Sequence, residues 1–306
     1  MKKMVKEKSR FFPILLTVLA VIFVLFVLLP ILFSIFDGSK IGNVALIPIE
    51  GPITGNGGSY LGQSTTSAKT IVNFIKAAEE DSQIKVIVLE INSPGGSAVA
   101  SDEIAAAIKK TTKPTISFIR EVGASGGYWV ASATDHIIAN KMSITGSIGV
   151  ISSFLEFSGL MEKYGVGYEQ LTAGEHKDMG NPYKKLSEED REIFQKKIDK
   201  IHDYFIQEIA TNRNLEKSRI KELATGEFYL GIEALELRLI DQLGDRDTAE
   251  QYIKDNYEIE EVDFVSYQTE ISFFDLLTGV FSDASFNIGK GLGSILLEKS
   301  NKLMLI

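Results

Sequence analysis

Apolar residues follow three rhythms along the chain, and each predicts a different kind of element. The first is an uninterrupted run from Phe11 to Phe36, FFPILLTVLAVIFVLFVLLPILFSIF, 26 residues without a charge. A helix of that length spans a hydrocarbon layer about 30 Å thick. A secretory leader has a shorter apolar stretch that closes on small residues, whereas this run continues into Asp37-Gly38-Ser39-Lys40. The pattern therefore predicts an uncleaved transmembrane helix, with Pro13 tolerated in the first turn and Pro30 as a kink.

The second rhythm is a set of short apolar blocks that alternate with amphipathic stretches. Val44 to Ile49 reads as a strand, with Pro48 suggesting an edge position. A glycine-rich loop, Gly51 to Gly62, precedes a helix capped by Thr66 or Ser67 and carrying Ile71, Val72, Phe74 and Ile75. Ile84 to Ile91 (IKVIVLEI) is a buried strand that stops at Asn92-Ser93-Pro94-Gly95-Gly96. A helix over about Ser97 to Lys110, a strand Thr115 to Ile119, the turn Gly-Ala-Ser-Gly-Gly at 123–127, a further helix and a strand His136 to Ala139 follow. This alternation predicts a layered α/β fold with parallel strands.

The third rhythm is helical. Phe194, Ile198, Ile201, Phe205 and Ile209 recur on one stripe of a long helix that a capping-box-like pair, Ser187 and Asp190, would start. Before it, Gly167 to Thr172 is a further strand candidate, and Gly174 to Pro182 is a loop by composition. After it, residues 271–306 are apolar and punctuated by glycine. Gly289, Gly291 and Gly293 follow no strand there, so they do not make a nucleotide fingerprint.

Charge sets the orientation. Lys2, Lys3, Lys6, Lys8 and Arg10 precede the apolar run against a single carboxylate, Glu7, which places residues 1–10 in the cytoplasm and the body outside. The expected localisation is thus a single-pass protein of the cell membrane with lipid as a partner. With a net charge of −9 that already includes this basic segment, the remainder is acidic, which disfavours nucleic acid as a partner. The absence of cysteine removes disulfide and thiolate chemistry. No H-E-x-x-H or cysteine cluster points to a metal, and no cofactor is expected.

The candidate chemistry centres on Ser125. Gly-Ala-Ser-Gly-Gly fits the G-x-S-x-G pattern in which small neighbours let a serine stand clear of a strand-to-helix turn. A second glycine turn, Ser93 to Gly96, follows a strand of the same unit, so backbone N–H groups of Gly96 and Gly126 are candidates for an oxyanion hole. The base is open on this reading. His136 and His202 sit in apparent structural settings, while His176 and Lys177 share a glycine- and proline-bearing loop. A lysine base must be held neutral, which burial away from carboxylates achieves, so the adjacent Asp178 has to point elsewhere.

Four ordered motifs, NSPGG, GASGGYW, TGSIGV at Thr145 to Val150, and G-x-x-K-D-x-x-x-P from Gly174 to Pro182, together resemble the short form of the signal peptide peptidase A family over approximately Val44 to Tyr267. The resemblance implies a Clp protease/crotonase-like α/β spiral of ββα units behind the N-terminal transmembrane helix. It implies a serine endopeptidase with Ser125 as nucleophile, Lys177 as general base, Ser147 orienting the lysine, and Gly96 and Gly126 as oxyanion-hole donors. It further implies a homo-oligomer that brings neighbouring subunits into one site, with remnant signal peptides and other short hydrophobic or unfolded chains as substrates. The expected organisation is then a cytoplasmic tail (1–10), an anchor (11–36), a linker (37–43), an extracytoplasmic protease domain (44–270) and an apolar tail (271–306) that packs, meets the membrane interface or enters the groove. A Ser-His-Asp esterase, a crotonase-like acyl-CoA enzyme and a non-catalytic assembly scaffold are the alternatives.

Overall fold

The computed structural model describes residues 11–29, 42–60 and 63–268. The expected tail, 271–306, lies outside them, and the account below concerns the unit that ends at Ser266. Phe11–Phe23 is an α-helix that passes into a π-helical stretch, Val24–Leu28. Its large side chains, including Ile14, Leu16, Leu19 and Phe23, are exposed. No helix among the described residues is long and apolar enough to cross a membrane, and residues 30–36 of the expected span are not among those described.

The strands are β1 (Val44–Glu50), β2 (Ile53–Thr54), β3 (Gly58–Tyr60), β4 (Gln63–Ser67), β5 (Val86–Ser93), β6 (Thr115–Ala124), β7 (His136–Ala139), β8 (Ile144–Gly146), β9 (Phe228–Leu230), β10 (Gln242–Leu243) and β11 (Phe264–Ser266). Eight form one sheet in the order β10-β7-β6-β5-β1-β11, with β8 on β6 and β9 on β8, and every pairing except β8–β9 is parallel. A mixed α/β fold around a mainly parallel sheet is what the alternating pattern predicts. Its central strands are buried on both faces. Val44, Leu46, Val86, Val88, Ile116 and Phe118 face Ala249 and Ile253 of the helix Arg246–Asn256, while Ala45, Ile47, Ile87 and Leu89 are also buried. This is why the strands read as continuous apolar blocks. Each fully buried isoleucine contributes about 1.5–3 kcal/mol.

Two expectations need correction. Pro48 does not mark an edge strand, because β1 lies between β5 and β11. However, β11 pairs only with Val44 to Leu46, so Pro48 needs to donate to nothing on that side. Gly167 to Thr172 forms no strand: it is exposed, with Leu171 93% accessible, and has no partner strand. The helix Ala68–Glu80 is capped by Ser67, whose Oγ accepts from the Thr70 N–H at 3.2 Å. Thr66, the other candidate, instead binds Glu50.

Register does the positioning. Ser93 at the end of β5 stands opposite Gly123 of β6, after an irregularity between Ile91 and Ser93. Ala124 at the end of β6 stands opposite Gly146 of β8. All three motifs therefore leave the sheet side by side at the carboxyl ends of parallel strands, where open α/β sheets form their crevices.

Candidate active site

Ser125 has φ 51° and ψ −122°, a conformation rarely tolerated by a residue with a Cβ. It joins β6 directly to the buried helix Gly126–Ser132, and the turn is fixed from two sides. The Ser125 N–H donates to the Gly146 carbonyl at 2.8 Å, and its own carbonyl accepts from the Trp129 N–H at 2.9 Å. Deeper in the helix, the buried Tyr128 hydroxyl donates to the Leu239 carbonyl at 2.7 Å. A strained strand-to-helix turn whose half-buried serine lines a cavity is the geometry of a nucleophile elbow.

The neighbouring turn fits against it without space for side chains. A Cβ on Gly126 would lie 2.3 Å from Ser101 Oγ and 3.2 Å from the Gly96 nitrogen, and one on Gly96 would lie 2.1 Å from the Ile53 carbonyl oxygen. Strand β2 holds this second turn: the Ile53 N–H donates to the Gly95 carbonyl and the Ser97 N–H to the Ile53 carbonyl, each at 2.9 Å. Ser93 Oγ donates to the Gly51 carbonyl at 2.6 Å and accepts from the Gly95 N–H at 3.1 Å. Gly126 opens its helix, so its N–H is one of the donors that intrahelical bonding leaves over. Gly96 and Gly126 are thus in contact beside Ser125.

Ser147, next after Gly146, also has positive φ, 49°. Its N–H donates to the Glu227 carbonyl at 2.8 Å, and its Oγ donates to the Gly226 carbonyl at 3.3 Å. Because β6 and β8 end in register, Ser125 and Ser147 emerge from adjacent strands.

Ser125, Gly96 and Gly126 line one cavity of about 430 Å³. Its remaining walls include Trp129, Phe194, Ile198, Ile201 and Phe205. The stripe read from the sequence of the helix Glu188–Arg213 therefore divides. Phe205 and Ile209 are in the core, with Trp129 stacked on Phe205 at 4.7 Å, while Phe194, Ile198 and Ile201 face the cavity. The half that looked like surplus core is wall.

Lys177 is not part of that wall in the same chain. It is exposed, on turns following Gly174, in a segment from Ile151 to Tyr183 that bears exposed Leu155, Leu160, Tyr164 and Leu171. Asp178 points away: its carboxylate pairs with Lys184 Nζ at 2.6 Å. His176 Nδ1 lies 2.9 Å from Asp190 Oδ1. This bond raises the imidazole above its ordinary value and, together with the Ser187 hydroxyl, lowers the Asp190 carboxyl. The predicted capping box is accordingly half formed. Ser187 Oγ accepts from the Asp190 N–H at 3.0 Å, but the Asp190 carboxylate serves His176 instead of the Ser187 backbone N–H.

No histidine lines the serine cavity. His136 stacks on Tyr252 at 3.8 Å, and His202 Nε2 contacts the Ile148 carbonyl at 3.2 Å, so both are structural. Glu175, His176 and Glu189 bring possible ligand atoms within 4.8 Å of one another, but both carboxylates are exposed and His176 is already engaged. Nothing further indicates a cation.

The sequence model of peptidase family S49 matches residues 107–260, about half of the chain. That of the NfeD1b N-terminal domain matches residues 43–157. A candidate protease of Methanocaldococcus jannaschii is 30% identical over 88% of this chain and 87% of its own length. A candidate signal peptide peptidase SppA of Enterococcus faecium is 34% identical over 78% of this chain and 70% of its own. Protease 4 of Haemophilus influenzae is 33% identical over 66% of this chain, which spans 32% of that protein. The chain belongs to peptidase family S49.

It is a serine peptidase of the signal peptide peptidase type, as the four motifs led one to expect. Within the segment shared with the S49 model stand Ser125, Ser147 and Lys177; Gly96 precedes it and lies in the segment shared with the NfeD1b domain. Sequence reasoning missed the cavity wall of this S49 chain. It took Phe194, Ile198 and Ile201 for core and passed over Lys197 between them. A signal was present, since those positions lie in a helix half whose other faces are almost wholly charged.

Proposed function

We propose that this S49 peptidase cleaves peptides with a Ser125–Lys177 dyad, on the outer face of a membrane to which Phe11–Phe36 anchors it. The observation that carries the proposal is the strained Ser125 turn, packed against Gly96 and Gly126 at the wall of an apolar cavity. Lys177 enters that cavity from a neighbouring subunit. In support, it is exposed and absent from its own chain's cavity wall, and its segment presents Ile151 and Leu171, each 93% accessible, which an interface would cover. Transfer from water into an apolar cavity favours the neutral form of an amine, and Asp178 is already held by Lys184. Ser147 then orients the amine next to Ser125.

In the reaction, neutral Lys177 Nζ takes the Ser125 proton as Oγ attacks the peptide carbonyl. Negative charge collects on the carbonyl oxygen, where the Gly96 and Gly126 N–H groups stabilise it. The tetrahedral species collapses, the C–N bond breaks, and the lysine ammonium gives its proton to the departing amine. Water attacks the acyl ester with Lys177 again accepting the proton, and Ser125 is restored. Phe194, Ile198 and Ile201 fit apolar side chains, which supports remnant signal peptides and other short hydrophobic or unfolded chains as substrates. The membrane anchor and outer location are supported by the exposed apolar helix Phe11–Phe23 and the basic residues before it. The mainly parallel sheet supports the Clp protease/crotonase-like spiral.

The test uses the full chain in detergent. Ser125→Ala and Lys177→Ala should each abolish peptide hydrolysis and labelling by a fluorophosphonate, and mixing the two after subunit exchange should restore part of the hydrolysis. Labelling of Lys177→Ala at the wild-type rate, with loss in His176→Ala instead, would replace the dyad with a histidine-based esterase.

A further inference from the structure

Among the described residues, Lys197 is the one charged side chain in the wall of the Ser125 cavity, set among Phe194, Ile198 and Ile201 on the helix Glu188–Arg213. On this helix it shares with Lys200 the lack of an ion pair among the described residues, but of the two only Lys197 lines the cavity, while neighbouring cations are paired. Lys196 pairs with Glu192 at 3.6 Å, Lys217 with Asp203 at 2.9 Å, and Lys109 reaches Glu208 at 2.5 Å. The positions three and four residues from Lys197 are Ile193, Phe194, Lys200 and Ile201, so its own helix offers no carboxylate at those spacings. Among the described residues it has no ion pair. An acidic protein with net charge −9 has carboxylates to spare, yet this exposed lysine lines an apolar cavity without one.

We infer that Lys197 is a specificity-determining residue that binds a carboxylate of the peptide substrate. The inference rests on the proposed peptidase site and adds to it a preference for charge. A lysine stem lies along apolar wall while its ammonium stays at the wet end, so the aliphatic part of the substrate and its carboxylate are met by one side chain. Low-dielectric walls strengthen that attraction relative to a pair in open water. Lys177 does not compete for the role, because it must be neutral to act as base. The carboxylate has two sources: the C-terminus of a short peptide, or an Asp or Glu near the scissile bond.

The experiment compares internally quenched hydrophobic peptides of one sequence: a C-terminal amide with an internal Gln, the same peptide with a free C-terminus, and the amide with the Gln replaced by Glu. They are cleaved by full-length wild type, Lys197→Gln and Lys197→Arg. The readout is the ratio of kcat/KM for each carboxylate peptide to that of the uncharged one, taken within each protein so that general damage cancels. Wild type and Lys197→Arg should show a ratio of about ten for one carboxylate peptide, carried in KM and reduced by added salt, and Lys197→Gln a ratio of about one. The favoured peptide identifies the source. No preference in wild type, or the same preference in Lys197→Gln, overturns the inference. Failure of the peptidase reading itself looks different: Ser125 goes unlabelled by fluorophosphonate and the uncharged peptide is not cut either, which removes both readings.

Discussion

The serine side and the lysine side of this protein are built differently. Around Ser125, three strand ends are held in register, two glycine turns touch without space for a methyl group, and the following helix is buried throughout. Around Lys177, turns follow one another without a strand, apolar side chains face outward, and the anchoring contacts are a few polar ones to the helix Glu188–Arg213 and to Lys184. Ser125, the proposed nucleophile, is positioned by its own chain. Lys177, the base of the proposed dyad, lies on an exposed surface that the proposed second copy would cover.

The comparison breaks most visibly at the two reactive residues. Ser125→Ala and Lys177→Ala should each lower kcat/KM by about 10⁴-fold or more, since residues acting as a unit fail together. Thermal melting of the unassembled chain should be unmoved by Lys177→Ala, because that side chain has no hydrogen bond or ion pair among the described contacts. Loss of melting stability in Lys177→Ala would contradict the picture of a free surface.

Glycine substitutions sharpen it next. Gly96→Ala places a methyl 2.1 Å from the Ile53 carbonyl oxygen and should cost about 1–3 kcal/mol in denaturant unfolding, with activity lost as the turn shifts. Gly167→Ala meets nothing within 4 Å and should stay within about 0.5 kcal/mol of wild type. The stripe of the long helix gives a graded pair. Ile209→Ala, in the core, should cost about 2–5 kcal/mol, whereas Ile201→Ala, 39% exposed at the cavity, should cost under about 1 kcal/mol but raise KM for hydrophobic peptides.

The smallest effect is one of pH. The His176–Asp190 bond raises the imidazole and lowers the carboxyl. The histidine contribution is therefore fully present below an ordinary imidazole value of about 6.5 and disappears as pH rises through the raised one. The aspartate contribution is present above about 3.9 and disappears as pH falls through the lowered value. The loop that carries Lys177 should be held best between about pH 4 and 6.5 and loosen as pH rises through the raised imidazole value. Melting temperatures of wild type and His176→Gln should differ most in that window and converge above it; an unchanging difference would show that the bond does not titrate.

Residue patterns alone predicted the alternating α/β order, the glycine turns at 93–96 and 123–127, a helix cap at Thr66 or Ser67 and the long helix with its apolar stripe. These depend on local chemistry: small residues at tight turns, hydroxyls at helix starts, apolar blocks where both faces of a sheet are covered. The resemblance named Ser125, Ser147, Gly96, Gly126 and Lys177, and the structure brings the first four to one end of the sheet. What the sequence could not reveal is register and facing. Ser147 comes beside Ser125 only because β8 pairs with the last residues of β6. One helical stripe becomes core at Ile209 and cavity wall at Ile198 because the later part of the helix packs on Gly126–Ser132, where Trp129 stacks on Phe205 and Asn212 binds Ser132. Gly167 to Thr172 stays out of the sheet for want of a partner strand, and Asp178 turns from Lys177 because Lys184 is within reach. Periodicity states that a face is apolar; only packing between distant segments decides what that face meets.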